Sequence, residues 1–290
     1  MKISEILQTN KLTVSFEIFP PKQDSAYDAV IGCADELVRF DPDFMSVTYG
    51  AGGGTSANTV KIAAHIKDRG ITSIAHLTCL SSTTSEVHRI IGELKDRNIE
   101  NILALRGDRP KDPDFVPPGD YRYASDLIRD IRESGNFCVG GACYPEGHPE
   151  SGHKDRDLDN LKLKVDAGCS FLTTQMFFDN NMLYSFLYRA QCKGINVPVL
   201  AGIMPITNGA QLKRTIELSN AYLPPKFLAL VDRFGDSPEA MKQAGIAYAT
   251  EQIIDLITNG VRGIHIYAMN KPDVVQKIVS NISDIIKAAK

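Results

Sequence analysis

Apolar runs of strand length recur along the chain at 13–19, 44–48, 73–78, 102–106, 137–142, 171–175, 199–203 and 261–267. Between them, apolar positions repeat at helical spacing near 25–40, 56–69, 84–97, 123–134, 156–168, 179–193, 208–220 and 237–258, with a last helical stretch near 272–288. Strand alternating with helix predicts a parallel sheet, because a parallel return needs a crossover long enough to hold a helix. Several helix ends carry signals of their own. Thr55-Ser56 precede one periodic run and Thr83-Thr84-Ser85-Glu86 has the spacing of a capping box. Gly70, Gly168 and Gly194 follow helices where left-handed backbone is useful. Eight strand–helix units predict an α/β fold, a (β/α)8 TIM barrel with extra helices, over the alternative of an open doubly wound sheet. The Leu223-Pro224-Pro225-Lys226 connection enlarges the seventh crossover. No composition break or linker appears, so residues 1–290 read as one catalytic barrel domain.

Alternation within the first run is informative. It puts Val14, Phe16 and Ile18 on one face and Ser15, Glu17 and Phe19 on the other, before Pro20-Pro21 end the ladder. A carboxylate near the end of a buried strand is costly unless paired, hydrated or protonated. Glu17 is therefore either a satisfied structural group or a working acid.

Functional groups of a barrel gather at the C-terminal ends of its strands, and this chain places polar residues there repeatedly. The strands end in Ser46-Val47-Thr48-Tyr49, His76-Leu77-Thr78-Cys79, Arg106-Gly107-Asp108, Tyr144-Pro145-Glu146-Gly147-His148 and Thr173-Thr174-Gln175. Arg106 and Asp108 share a parity opposite to that of apolar Leu103 and Leu105. Any one of these has a bland explanation, a core histidine or a rim ion pair, but six polar strand ends together predict a concave site at the barrel mouth. The Pro-rich stretch Arg109–Arg122 reads equally as a lid or as an exposed excursion.

Two motifs are rejected. Gly50-Ala51-Gly52-Gly53-Gly54-Thr55 lacks the last glycine of a dinucleotide fingerprint and the acidic residue that should follow, and it lacks the Lys of a P-loop. It reads as a loop that lets backbone approach a ligand. His148, His153 and Asp155 fit no recurrent metal-ligand spacing, so no metal site is expected.

Composition adds exclusions. A net charge of −3 and pI near 6.1 give no reason to expect nucleic acid or an anionic membrane. No run is long enough to span a bilayer and the N-terminus lacks a signal-peptide core. Six scattered cysteines without a Cys-x-x-Cys pair suit reduced thiols and a cytoplasmic location.

The stretches Ser15–Lys22, Thr48–Gly53, His76–Cys79, Leu105–Asp108, Tyr144–Pro149 and Thr174–Asp179, in this order, resemble methylenetetrahydrofolate reductase over nearly the whole chain, in its short bacterial form. The resemblance implies a flavoprotein oxidoreductase of one-carbon metabolism that supplies methyl groups for methionine. It implies FAD as cofactor, NADH or NADPH as donor, 5,10-methylenetetrahydrofolate as substrate, and a homo-oligomer. Glu17 matches the acid that protonates folate N10, and burial is expected to keep its proton available near neutrality. Asp108 matches the aspartate beside flavin and pterin. The FAD-contacting positions correspond to Tyr49, Ala51, His76, Arg106, Gly107, Asp108, Tyr123, Ala124, Tyr144, His148, Asp157, Asn160 and Lys164. Gln175, Gln211 and Lys271 match folate contacts, and Thr48 and Gln175 match positions near the nicotinamide. Departures are Thr215 where relatives carry an aromatic residue, Lys271 for an arginine and Leu163 for a basic residue. Lysine at 271 keeps the charge but not the fork. Two alternatives stand: a flavin subunit served by an electron-transfer partner protein, and a flavin-free pterin-binding methyltransferase.

Overall fold

The structure is a computed structural model that describes all residues except 22, 50–55, 111, 113, 211 and 213–220. Eight parallel strands close into a barrel in chain order: β1 Thr13–Ile18, β2 Phe44–Val47, β3 Thr72–Thr78, β4 Asn101–Leu105, β5 Cys138–Cys143, β6 Phe171–Thr174, β7 Val199–Ile203 and β8 Gly263–Tyr267. Pairing of β1 with β8, Ser15 opposite His265 and Glu17 opposite Tyr267, shuts the sheet. This is the (β/α)8 barrel that the repeating pattern predicted.

The two faces of each strand divide as alternation requires. Val14, Phe16 and Ile18 face outward with Met45, Val47, Leu77, Ile102, Ala104, Val139 and Ile264 into the layer shared with the helices. Burying each large side chain there contributes about 1.5–3 kcal/mol. The inner face is apolar only at its base, where Phe44, Ile74, Leu103, Cys138, Phe171 and Leu200 pack together. A short helix, α1 Ile3–Thr9, seals that end with Ile3 and Ile6. Seven residues are too few to stand out as a periodic run, and the sequence pattern did not predict it.

The outer helices are α2 Tyr27–Val38, α3 Ser56–Asp68, α4 Thr84–Asp96, α5 Ala124–Ser134, α6 Lys154–Asp166, α7 Asn180–Cys192, α8 Pro225–Phe234, α9 Pro238–Thr258, α10 Pro272–Asn281 and α11 Ser283–Ala289. Thr83 caps α4 reciprocally with Glu86, as its spacing implied. The helix expected at 208–220 lies largely outside the described residues. The Pro-rich connection turned out to start a helix: Pro225 is the first residue of α8, where its missing N–H costs nothing. The stretch read as one helix at 272–288 is two, divided at Ile282.

Candidate active site

Glu17 stands at the mouth end of β1, 5% exposed, its side chain inside the barrel. Its Oε2 accepts a hydrogen bond from Ser46 Oγ at 3.2 Å and lies 3.4 Å from His265 Nε2 and 3.3 Å from His76 Nε2. The strand end is pinned around it. The Glu17 carbonyl accepts from the Ala268 amide, and Asn270 clamps Phe19 through two 2.9 Å bonds, amide to Oδ1 and Nδ2 to carbonyl.

Three titratable groups from β1, β3 and β8 thus converge in a space closed from below. Burial by itself pushes the Glu17 carboxyl up. The nearby rings of His76 and His265 and the bonds from His265 and Ser46 act against it and prevail, so the group lies below its ordinary range. This differs from the expected proton-holding acid: burial was visible in the sequence, the two histidines around the carboxyl were not. His76 goes the other way. Burial pushes its imidazole down to about 4, against a smaller opposing effect of Glu17. Although 3.3 Å from the carboxylate, His76 Nε2 is off the line of a hydrogen bond and has no partner among the described residues.

At the end of β4 the chain turns through Gly107, whose φ of +84° is left-handed. A Cβ there would come within 3.0 Å of Thr78 Cβ. The turn breaks the parity read from the sequence. Leu103 belongs to the barrel's inner base with Leu105 packed against it, while Arg106 and Asp108 sit beyond the strand. Arg106 holds Glu150 in a two-pronged ion pair at 2.6 and 2.7 Å, which raises the guanidinium further. Asp108 is exposed at the rim, close enough to contribute to lifting the Tyr144 phenol to about 12, with burial the larger cause.

Tyr144 and His148 meet edge to face, ring centres 4.6 Å apart. Burial, with Arg106 nearby, lowers the His148 imidazole. Lys164 reaches inward from α6 to donate to the Ala142 carbonyl at 2.9 Å, and burial lowers its ammonium. Asp157 accepts from Ser151, Asn160 is exposed on the same helix, and Leu163 is exposed beside them. Tyr123 is half exposed, with Ala124 buried behind it at the start of α5. His148 and His153 each accept a backbone N–H through Nδ1, from Glu150 and Asp155, so both act as helix caps.

The other side of the mouth carries Thr48, Gln175 and Lys271. The Thr48 hydroxyl is buried with no hydrogen-bond partner among the described residues. Gln175 folds its Oε1 back onto the Met176 amide, and Lys271 donates to Thr207 Oγ1 at 3.0 Å. Tyr49 is half-buried against the outer core. Ala51, Gln211 and Thr215 lie outside the described residues. The 109–122 stretch is tied down at its far end: Asp120 accepts from the Thr84 amide, and buried Tyr121 donates to Asp130, which also meets His88.

The family model described as methylenetetrahydrofolate reductase matches residues 2–283. The chain belongs to the methylenetetrahydrofolate reductase family. The 5,10-methylenetetrahydrofolate reductase of Escherichia coli (strain K12) is 36% identical over 267 residues, covering 91% of this chain and 88% of that protein. Methylenetetrahydrofolate reductase 1 of Schizosaccharomyces pombe is 35% identical over 291 residues, 97% of this chain but 48% of that longer protein. Methylenetetrahydrofolate reductase (NADH) 1 of Arabidopsis thaliana is 33% identical, again across 48% of its length. Among solved structures, a Clostridium thermocellum protein described as binding two copies of 5-methyl-5,6,7,8-tetrahydrofolic acid superposes with a TM-score of 0.68 at 14% identity, covering 99% of this chain and 100% of that one. That likeness concerns the barrel alone.

For this member of the reductase family, the sequence reading passed over His265 and Tyr267, and it met Ser15 and Ser46 only as polar members of their strands, without a role in the site. Each faces the barrel interior from β8, β1 or β2. The signal was present in Gly263-Ile264-His265-Ile266-Tyr267, where polar-bearing residues alternate with isoleucine. The parity that singled out Glu17 on β1 applies equally there.

Proposed function

We propose that the chain reduces 5,10-methylenetetrahydrofolate to 5-methyltetrahydrofolate, with FAD at the barrel mouth and NADH or NADPH as donor, within a single catalytic barrel. The observation that carries this reading is a buried carboxylate, Glu17, aimed into the mouth of a barrel whose family carries out this reduction.

The residues present fit FAD. The Arg106 fork already holds a planar anion, the Glu150 carboxylate, in the two-pronged manner that a pyrophosphate oxygen pair would adopt. Gly107 leaves backbone bare beside it, and Lys164 brings a second cation from α6. Tyr144 and His148 offer an aromatic edge, with Asp157, Asn160, Tyr123, Ala124, Tyr49 and Ala51 completing the set. When bound, FAD would supply the redox chemistry, accepting two electrons from the nicotinamide and releasing them to the methylene carbon.

The chain's own groups prepare the substrate. A proton delivered from Glu17 to N10 lets the C–N10 bond break with its electron pair staying on nitrogen, leaving a 5-iminium cation. Asp108 at the rim favours that cation by its charge. Thr48 and Gln175 bond the nicotinamide amide or the pterin in turn, a role supported at Thr48 by a buried hydroxyl that lacks a partner among the described residues. Gln211 contacts the folate, and Lys271 meets its glutamate tail. His76, which the family resemblance gave to the flavin, faces Glu17 here and also tunes the acid.

Anaerobic stopped-flow on the purified flavoprotein tests the proposal. NADH or NADPH should bleach the flavin, and 5,10-methylenetetrahydrofolate should restore its colour. Glu17→Gln should keep the bleaching and lose the recolouring. Purified protein without a flavin spectrum refutes the reading, and bleaching by reduced ferredoxin alone moves the donor to a partner protein. A homo-oligomer in the cytoplasm completes the proposal. Free cysteines, five of them buried, suit a reducing compartment, and no helix of the described residues is long and apolar enough to cross a membrane.

A further inference from the structure

The substrate side of the mouth leans on a helix to which the chemistry above gives no task. Gln175 stands where β6 gives way to the loop that runs to the start of α7 at Asn180. Backbone bonds fix the two ends of that loop. The Gln175 amide donates to the Cys143 carbonyl at 2.7 Å, and the Met182 amide donates to the Asp179 carbonyl at 3.0 Å. Between them come Phe177 and Phe178, both buried. A carbonyl buried there is costly unless something donates to it.

Both carbonyls are met from α9. Gln252, 6% exposed, donates from Nε2 to the Phe177 carbonyl at 2.9 Å, and the Tyr248 hydroxyl donates to the Phe178 carbonyl at 2.6 Å. Tyr248 and Gln252 are one helical turn apart, so a single face presents both donors. On the next turn Asp255 accepts from Asn180 Nδ2 at 2.6 Å and from the Tyr184 hydroxyl at 2.7 Å, which ties α7 to the same face. The neighbours of Gln252 on the buried side are Ala249, Ile253 and Leu256. An apolar residue at 252 would spare the cost of burying a carboxamide, and the Phe177 carbonyl is what the glutamine is there to meet.

The helix is itself seated against a second loop of the site. A Cβ on Gly245 would lie 1.8 Å from the Ile206 carbonyl, so α9 touches the β7 loop backbone to backbone. The next residue of that loop, Thr207, is the partner of Lys271. One helix therefore sets the height of both the Gln175 loop and the loop that seats Lys271.

The consequence falls on Gln175. Its Oε1 accepts from the Met176 amide at 2.9 Å. A carboxamide whose oxygen is engaged by backbone has its N–H donors left for a ligand. With the Gln175 amide held on Cys143 and the next carbonyls held on α9, the planar peptide units between them have little freedom to turn. The Met176 amide, and with it the end of Gln175 that is offered, stays fixed.

We propose that Gln252 and Tyr248 are positioning residues, holding the loop between β6 and α7 so that Gln175 presents its N–H donors to whichever ligand occupies the mouth. The inference rests on the folate-reducing reading for the ligands that Gln175 meets, but not for the clamp itself.

The test has two arms. The first is hydrogen–deuterium exchange of purified protein without substrate, read by mass spectrometry in Tyr248→Phe and Gln252→Leu. Exchange across 175–179 should quicken about tenfold in both variants while peptides from β1 and β3 keep their wild-type rates. Wild-type rates across 175–179 in both variants overturn the clamp, whatever the enzyme reduces. Quickening that spreads to β1 and β3 in both overturns it too, since the residues then hold the fold and not the loop.

In the second arm two half-saturating concentrations are measured: that of the nicotinamide donor for flavin bleaching, and that of 5,10-methylenetetrahydrofolate for reoxidation of dithionite-reduced flavin. Each variant should raise both about fivefold, with limiting rates within about twofold of wild type. In a Gln175→Ala background the same substitutions should add nothing, because residues that act through one another are not additive. Gln252→Glu should match Gln252→Leu at about pH 9, where a carboxylate faces the Phe177 carbonyl, and approach wild type at about pH 6, where a protonated carboxyl donates to it. Equal losses with and without Gln175 overturn the positioning role even where exchange shows the clamp. Wild type that fails to reoxidise refutes the folate reading, and the first arm by itself then decides whether α9 clamps the loop.

Discussion

His76 is a buried base whose effect on stability is open to measurement. The perturbation is His76→Gln, combined with a change of pH. In the folded protein burial pushes this imidazole from 6.5 down to about 4. A histidine with a depressed folded value is bound to more protons unfolded than folded between those limits, so acid favours the unfolded chain. Its contribution is intact above 6.5 and is lost as pH falls toward 4. Between pH 7.5 and pH 5 the loss from this one group is about 2 kcal/mol, and the full shift corresponds to about 3 kcal/mol.

In the wild type Glu17 lies outside this window. Its folded value lies below 4.5, so its stabilisation holds above 4.5 and is lost only as pH falls further, through the folded value. Urea denaturation of wild type and His76→Gln at pH 7.5 and at pH 5 gives four free energies, and the histidines away from the site cancel in the double difference. The variant is less stable than wild type at pH 7.5, because a snugly enclosed ring is replaced. The gap should narrow by about 2 kcal/mol at pH 5. A gap that stays constant between the two pH values would refute the claim that His76 is held neutral by its enclosure.

Gly202 has no room for a side chain, since a Cβ would lie 2.5 Å from both the Thr174 carbonyl and the Tyr267 hydroxyl. Gly202→Ala should cost about 3 kcal/mol in urea denaturation by breaking their hydrogen bond and crowding the barrel. Tyr267→Phe leaves the Thr174 carbonyl without that donor and should cost about 1–2 kcal/mol in the same assay. Lys271→Ala should raise KM for a polyglutamylated folate about tenfold with kcat little changed, because a tail contact is made equally in ground and transition states. Arg106→Ala should release flavin on gel filtration under conditions where the wild type retains it, having lost the two-pronged cation.

Strand order and helix order were legible because each barrel strand is backed by helices, which makes its outward face almost wholly aliphatic. Val14, Phe16 and Ile18 show the rule, and it recurs at Met45, Val47 and Ile264. Elements outside the repeating unit were not legible. Helix α1 plugs the base with just two buried isoleucines, and the prolines that start α8 looked like a connection. Glu17 was found by parity, since a carboxylate on the inner face of a β-rich run is rare. What surrounds Glu17 was out of reach, because His76 and His265 stand far from it in the chain and meet it only when the sheet closes. Burial of the carboxyl could be inferred from one strand, whereas the sign of its shift depended on two others. Arg106 illustrates a second limit: alternation stops at Leu105, and Gly107 then turns the backbone where no period applies.

The inner face of the barrel changes character along its axis, and that gradient gives the site its direction. At the base, Phe44, Phe171, Leu103 and Leu200 fill the bore and α1 caps it. Two residues further along their strands come Ser15, Ser46, His76 and His265, small or ring-shaped polar groups that are themselves almost fully buried. Glu17 is the carboxylate among them, and Oε2 is the atom on which Ser46 and both rings converge. Beyond Glu17 lies the mouth, where Arg106, Asp108, Tyr144 and Lys271 line the rim. The apolar base thus shapes the acid's surroundings: it closes the buried polar layer from below, so that the carboxylate opens only toward the side where the substrate arrives.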